Sequence, residues 1–173
     1  MRFSADLRGC FMRLFVAIDL SEEMRTSLVT MMHDLKKADV KGSYQPVANL
    51  HLTLAFIGET ENAETIKEAL KSVSYKPFRM AFGEKGSFGN TFWIGIKSNQ
   101  GLNKLAKDVR TALAGYLPEE EREFVPHITL IRNCAGKTQT VKAAKGEMMV
   151  KKVSLMKSEL KKGKRVYTEI FSF

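Results

Sequence analysis

Two stretches of the sequence decide the fold: NLHLTLAFIG at residues 49–58 and PHITLIR at residues 126–132. Each contains the same tetrapeptide, a histidine followed by leucine or isoleucine, threonine and leucine. Because side chains alternate between the faces of a β-strand, a strand over either motif sets its histidine and threonine on one face. The apolar residues then lie on the other face. We expect helices to cover the apolar face and each His–Thr pair to face a groove.

Working outward, each motif is preceded by an apolar strand and then a helix. Phe15-Val16-Ala17-Ile18 precedes the first motif and Phe92-Trp93-Ile94-Gly95 precedes the second. The distance from Phe15 to His51 is 36 residues, and that from Phe92 to His127 is 35 residues. This spacing predicts an α+β fold made of two similar strand–helix–strand lobes related by a pseudo-twofold.

The remaining periodicities complete the predicted elements. Strands are predicted at 12–19, at 50–57 with Gly58 as the end, at 77–88 and 91–97 as a hairpin, from 126 onward, at 148–160 and at 165–171. Helices are predicted from the N-cap Ser21 to Lys37, around Ile66–Val73 and over Leu102–Leu113, with an acidic loop at Glu119–Glu123. No low-complexity linker occurs, so residues 12–173 are expected to form one domain behind an N-terminal extension or tag at 1–11.

Composition narrows the possible partners and compartment. The chain carries a net charge of +9, and residues 137–165 hold ten Lys or Arg against two acids. Such a segment either attracts nucleic acid or forms a solvated basic edge that protects a strand from aggregation. No apolar run approaches the roughly 18 residues of a membrane span. Since Cys10 and Cys134 are too few for a disulfide framework, we expect a cytoplasmic protein. We also expect a monomer.

The two motif histidines have the chemistry for proton transfer. A single such histidine is more often a strand-edge residue bonded to a local carbonyl, but the repetition favours one site built from both halves. Imidazole titrates near pH 6.5, so one ring can accept a proton while the other donates one. Threonine hydroxyls add hydrogen bonds without competing for these protons. A phosphodiester needs all of these groups and is the substrate that fits.

Paired histidines could instead bind zinc. Zinc takes three or four ligands from His, Cys and carboxylates, whereas here a threonine stands two residues after each histidine and no HExxH or CxxC occurs. The third histidine, His33, falls in the first helix, where we expect a surface residue. The sequence therefore predicts neither a metal nor a cofactor.

Paired H-x-T-L motifs in two half-length lobes resemble the two-histidine (2H) phosphoesterase superfamily. The flanking strings MRLFVAIDL, NLHLTLAFIGE and PHITLIR resemble its RNA 2′,3′-cyclic phosphodiesterases, also called 2′-5′ RNA ligases. The resemblance runs from Met12 to the C-terminus. It implies a bilobal α+β fold with two antiparallel sheets lining a central cleft and helices on the outer faces. It also implies metal-independent hydrolysis of a terminal 2′,3′-cyclic phosphate to a 2′-phosphomonoester.

Carried over residue by residue, the resemblance makes His51 the proton donor and His127 the proton acceptor. Thr53 and Thr129 would bind the substrate, and so would Arg132, which follows the second motif. The implied partners are RNA with a 2′,3′-cyclic phosphate end or small 2′,3′-cyclic nucleotides. Ligation through a 2′-5′ linkage, cleavage of 2′-5′ oligonucleotides, and a non-catalytic RNA-binding module of the same fold remain alternatives.

One residue conflicts with strict alternation. Arg132 would lie on the opposite face of its strand from His127, so either the strand ends or bulges near Ile131, or Arg132 is only a surface charge. Phe56 stands at the equivalent offset in the first motif. It could pack in the core or stack on a base.

Overall fold

The computed structural model describes residues 11–119 and 123–173. Its strands are β1 (Met12–Asp19), β2 (Lys41–Tyr44), β3 (His51–Thr60), β4 (Phe78–Phe88), β5 (Thr91–Ile96), β6 (His127–Ala135), β7 (Glu147–Val150), β8 (Ser154–Lys161) and β9 (Lys164–Ser172). Its helices are α1 (Glu22–Lys37), α2 (Ala63–Lys71) and α3 (Gln100–Ala112), with a 3₁₀ turn at Val47–Asn49. Residues 1–10 of the predicted extension lie outside the described residues, and so do residues 120–122 of the predicted acidic loop.

The strands form two antiparallel sheets, which confirms the predicted fold class. One sheet has the order β3-β1-β8-β9 and the other the order β2-β6-β5-β4-β7. In each sheet a motif strand pairs with the strand that precedes its helix: β3 with β1, and β6 with β5. The two strand–helix–strand units therefore bring their motif strands to equivalent positions, one in each sheet.

The first helix forms as its sequence predicts. The hydroxyl oxygen of Ser21 accepts a hydrogen bond from the backbone N–H of Met24, and acidic residues occupy the first turn. These groups satisfy the N–H donors and the positive end of the helix dipole. The apolar stripe of α1 packs in the core, whereas His33 is exposed as expected. None of the helices in the described ranges is long and apolar enough to cross a membrane.

The predicted single strand at 148–160 is wrong. It breaks at residues 151–153, so that β7 pairs with β4 in one sheet and β8 pairs with β1 in the other. At the crossing, Val153 is fully buried and exchanges two backbone hydrogen bonds with Phe173. The apolar content of this segment is thus shared between two sheets, a division that local periodicity does not reveal.

The predicted strand end at Gly58 is also wrong. Gly58 adopts a φ of 86°, in the region that favours glycine, and β3 continues to Thr60. The pairing with β1 shifts here, because Gly58 faces Leu14 while Phe56 faces Phe15. Ile57 therefore has no partner on β1 and forms a bulge next to the glycine, within the strand. The short strand β2 was not predicted, since its residues KGSY carry no apolar alternation.

Candidate active site

The two motifs lie on strands in the predicted orientation. Leu52, Leu54, Ile128 and Leu130 have no exposed surface, whereas the histidine and threonine of each motif are half-buried. The strands β3 and β6 contact each other across the two sheets. The apolar face of each motif thus anchors its strand in the core, and the His–Thr face looks away from the core.

A bulge in each motif strand changes which side chains share the histidine face. In β6 the register with β5 skips Leu130, and in β3 the register with β1 skips Leu54. Each bulge places two buried residues in succession, so the alternation reverses after it. Arg132 and Phe56 consequently lie on the same face as the histidine of their own strand.

This geometry resolves the alternation conflict at Arg132. The strand β6 does not end near Ile131 but bulges one residue earlier, and Arg132 is exposed on the histidine face. Phe56 is 38% exposed, which excludes the first of its two alternatives, packing in the core. At equivalent positions the two lobes present a cation and an aromatic ring.

Backbone carbonyls fix the tautomer of both histidines. His51 Nδ1 lies 2.6 Å from the carbonyl oxygen of Asn49, and His127 Nδ1 lies 2.7 Å from that of Val125. A carbonyl only accepts hydrogen bonds, so each Nδ1 carries the proton. Nε2 is therefore the nitrogen that gains or loses a proton on each ring. On His51 this atom lies 2.8 Å from the hydroxyl oxygen of Thr53.

Two aromatic rings flank each histidine, an arrangement that the sequence did not reveal. The His51 ring centroid lies 4.8 Å from that of Phe15 and 5.3 Å from that of Tyr167. The His127 centroid lies 5.0 Å from that of Phe88 and 5.6 Å from that of Trp93. Spacing had matched Phe15 with residue 92, yet Trp93 is the ring that touches the second histidine. Tyr167 and Phe88 have no fixed spacing from the motifs, so only the fold identifies them.

Burial lowers the pKa of His51. The hydrogen bond to Asn49 and the nearby carboxylate of Asp19 oppose this effect, while the positive charges of Arg25 and His127 add to it. Charging the ring costs solvation free energy that these partners offset only in part. His51 therefore releases its proton at a lower pH than a free imidazole does.

A cavity of about 620 Å³ opens beside the motifs. Thr53 of the first motif and His127 of the second both line it, so one space is shared by the two sheets. Phe56 and Phe88 contribute exposed rings to its wall. His51 lines a second cavity, of about 250 Å³, together with polar groups that include Asp19 and Lys152.

Comparison with known families decides the relationship. The family model described as the 2′-5′ RNA ligase superfamily matches residues 23–161, which contain both H-x-T-L motifs. The chain belongs to the 2′-5′ RNA ligase superfamily. The match extends well beyond the two motifs and covers most of both lobes.

Individual members of the superfamily are similar over nearly the whole chain. The RNA 2′,3′-cyclic phosphodiesterase of Methanothermobacter thermautotrophicus is 29% identical over 185 residues, covering 93% of this chain and 97% of its own length. The protein of the same name from Thermus thermophilus is 33% identical over 181 residues, covering 94% and 89%. Escherichia coli LigT complexed with 3′-AMP superposes with a TM-score of 0.82 at 28% identity, covering 95% and 98%.

The basic segment of this superfamily member is partly neutralised. The ammonium of Lys152 lies 2.8 Å from the carboxylate of Glu169, and that of Lys157 lies 2.9 Å from Glu159. Lys161 also approaches Glu159, at 3.7 Å. Lys151 and Lys162 are exposed. The surface is therefore less positive than the count of basic residues implies. Lys152 also lines the cavity of about 250 Å³ that His51 lines.

Proposed function

We propose that this chain hydrolyses the terminal 2′,3′-cyclic phosphate of RNA, or a small 2′,3′-cyclic nucleotide, to a 2′-phosphomonoester. His51 acts as the proton donor and His127 as the proton acceptor. Relatives named RNA 2′,3′-cyclic phosphodiesterase, similar over almost the entire chain, support the reaction class. The substrate comes to this chain from that similarity, and the resemblance to the two-histidine family assigns the donor and the acceptor. The geometry of the two motifs supports a pair of proton-transfer groups.

One observation carries the proposal: both motif histidines bind a backbone carbonyl through Nδ1. Each ring therefore offers only Nε2 for proton transfer, as an acid–base pair requires. Nε2 of His127 takes a proton from water, and the water oxygen forms a bond to phosphorus. The P–O3′ bond breaks, and the proton on Nε2 of His51 passes to the departing O3′. Phosphate remains on O2′.

The remaining motif residues stabilise the phosphate. The hydroxyls of Thr53 and Thr129 donate to its two non-bridging oxygens, and Arg132 offsets their negative charge. Without substrate, the Thr53 hydroxyl lies against Nε2 of His51. We infer that a substrate oxygen replaces Thr53 as the partner of that nitrogen, which frees the hydroxyl to turn to the phosphate.

We propose that the reaction needs no metal. Within the described ranges, no three or more His, Cys, Asp or Glu side chains are grouped so that they could hold a metal ion. Incubation with 2′,3′-cyclic AMP in excess EDTA should give full activity, and phosphorus NMR should identify adenosine 2′-monophosphate as the product. A 3′-monophosphate would refute the orientation of the ribose. Loss of activity in EDTA with recovery on adding zinc or manganese would refute metal independence.

The lowered pKa of His51 predicts the pH dependence of kcat/KM. A proton donor must be protonated in the free enzyme, and burial makes His51 lose its proton below the ordinary imidazole value of about 6.5. The alkaline limb of kcat/KM should therefore lie below about pH 6.5. Asp19→Asn removes a carboxylate that raises the pKa, so it should shift this limb further to the acid side.

The pH prediction is checked by the kcat/KM profile together with an NMR titration of the His51 ring. Asp34→Asn, an exposed carboxylate on α1, is the matched control and should leave the limb unchanged. Activity that stays constant from pH 6 to 9 would contradict the assignment of His51 as the donor.

The exposed lysines predict the salt dependence of RNA binding. If Lys151 and Lys162 contact phosphates, replacing both with glutamate should weaken binding of an oligonucleotide but not of a mononucleotide. Each lost contact should reduce the slope of log K against log salt by roughly 0.7 for a single strand. Lys71→Glu with Lys104→Glu, two helix lysines outside this segment, is the control. An unchanged slope would show that these lysines do not bind RNA phosphates and that the segment is a solvated basic edge.

A further inference from the structure

The cavity of about 620 Å³ beside His127 presents aromatic surface to solvent. Phe56, Phe88 and Phe124, from three separate segments, all line it, and the first two are each 38% exposed. Exposing large apolar side chains forgoes the free energy of burying them, so a cluster at one cavity marks a binding surface. Planar ligands that stack on such rings are the natural occupants.

Two of these rings are held by cations. The guanidinium of Arg13 lies 5.1 Å from the ring centroid of Phe56, and that of Arg110 lies 4.9 Å from that of Phe124. The Nε of Arg110 also donates to the carbonyl of Leu54 at 3.1 Å. These contacts order the rings before any ligand arrives, which lowers the entropy cost of binding.

The charges of the cavity distinguish a base from a phosphate. Thr53, which binds the phosphate in the proposed reaction, and His127, which activates the attacking water, both lie on its wall, so a nucleotide reacting there extends into it. Among the described residues that line the cavity, the two carboxylates of Glu119 and Glu123 outnumber the guanidinium of Arg110, which stacks on Phe124. Carboxylates repel a further phosphate but accept hydrogen bonds from the N–H groups of a base.

We propose that this cavity binds the base of the nucleotide that carries the cyclic phosphate, and that Glu119 and Glu123 make it prefer guanine to uracil. The inference rests on the proposed function. Guanine presents two neighbouring donors, N1–H and the 2-amino group, which match the two oxygens of a carboxylate. Uracil presents a single N–H, and the carbonyl oxygens on both sides of it are repelled by a carboxylate. The aromatic rings stack on either base, so the carboxylates decide between them.

The test compares kcat/KM for 2′,3′-cyclic GMP and 2′,3′-cyclic UMP. The unmodified protein should favour the guanine substrate by about tenfold or more, as expected when a pair of hydrogen bonds is replaced by repulsion. Glu119→Gln with Glu123→Gln should bring this ratio close to one. Phe56→Ala should raise KM for both substrates by about tenfold while kcat changes little, because both bases lose a stacking partner.

Glu61→Gln, an exposed glutamate outside the cavity, is the control and should keep the ratio of the unmodified protein. Calorimetric binding of guanosine and uridine 2′-monophosphates separates this inference from the proposed function. If neither cyclic nucleotide is hydrolysed, the proposed function fails, whereas tighter binding of the guanosine nucleotide, lost in the double glutamine variant, still supports the base site. Equal binding and equal kcat/KM for both bases would overturn the inference.

Discussion

Replacing His51 or His127 with alanine should lower kcat by at least about 10²-fold each, with smaller effects on substrate binding. In the proposed reaction each variant removes the one ring nitrogen that exchanges a proton with a reacting oxygen. The double variant should lose little more than either single variant, because both rings would act in the same reaction step. Hydrolysis of 2′,3′-cyclic AMP under saturating conditions, followed by phosphorus NMR, measures the effect.

His33→Ala provides the matched control, since this third histidine is exposed on α1. It should retain the activity of the unmodified protein. Both motif histidines also pack against aromatic rings, so thermal unfolding of each variant must be compared to exclude a loss of folded protein. A folded His51→Ala or His127→Ala variant that keeps more than a tenth of the original kcat would refute the role of that histidine in proton transfer.

Arg132→Ala should lower kcat/KM by about 10- to 100-fold, the effect expected when a charged group loses its hydrogen bonds to an anion. The bulge at Leu130 sets Arg132 on the face of His127, and in the proposed reaction its charge offsets that of the phosphate. Arg132→Lys should recover part of the loss, because it keeps the charge but not the planar fork of donors. Steady-state kinetics with 2′,3′-cyclic AMP measure both variants.

Arg79→Ala serves as the control for a lost positive charge. Its side chain is 68% exposed and lies 3.5 Å from the carboxylate of Glu147, away from the motif strands. It should leave kcat/KM unchanged. A similar loss of kcat/KM in both arginine variants would assign the effect to net charge. An unchanged kcat/KM in Arg132→Ala would show that Arg132 is only a surface charge.

The equivalent positions of the two lobes explain why the site is asymmetric. Both motif strands bulge after the threonine, yet one then presents Arg132 and the other Phe56. One lobe thus presents a cation beside its motif, and the other presents an aromatic ring on the wall of the cavity of about 620 Å³. In the proposed reaction the repeat supplies the two proton-transfer groups, and the difference between its halves would orient the substrate.

The sequence by itself determined the elements whose causes are local. The N-cap Ser21, the apolar stripe of α1 and the alternation over the two H-x-T-L motifs act over a few residues, and each forms as predicted. The repetition of the motif also indicated a shared site, because two strands in equivalent places of a pseudo-twofold approach each other.

The tertiary structure alone decided the features that depend on pairing between distant segments. A bulge exists only relative to a partner strand, so the positions of Arg132 and Phe56 required the register with β5 and β1. The break between β7 and β8 arises because one apolar segment pairs with both sheets, through β7 in one and β8 in the other. Tyr167 lies on β9, which is three strands away from the motif strand β3, and it contacts His51 only because β9 pairs with β8 in the same sheet. These contacts arise from long-range hydrogen bonding and burial, which leave no periodic trace in the local sequence.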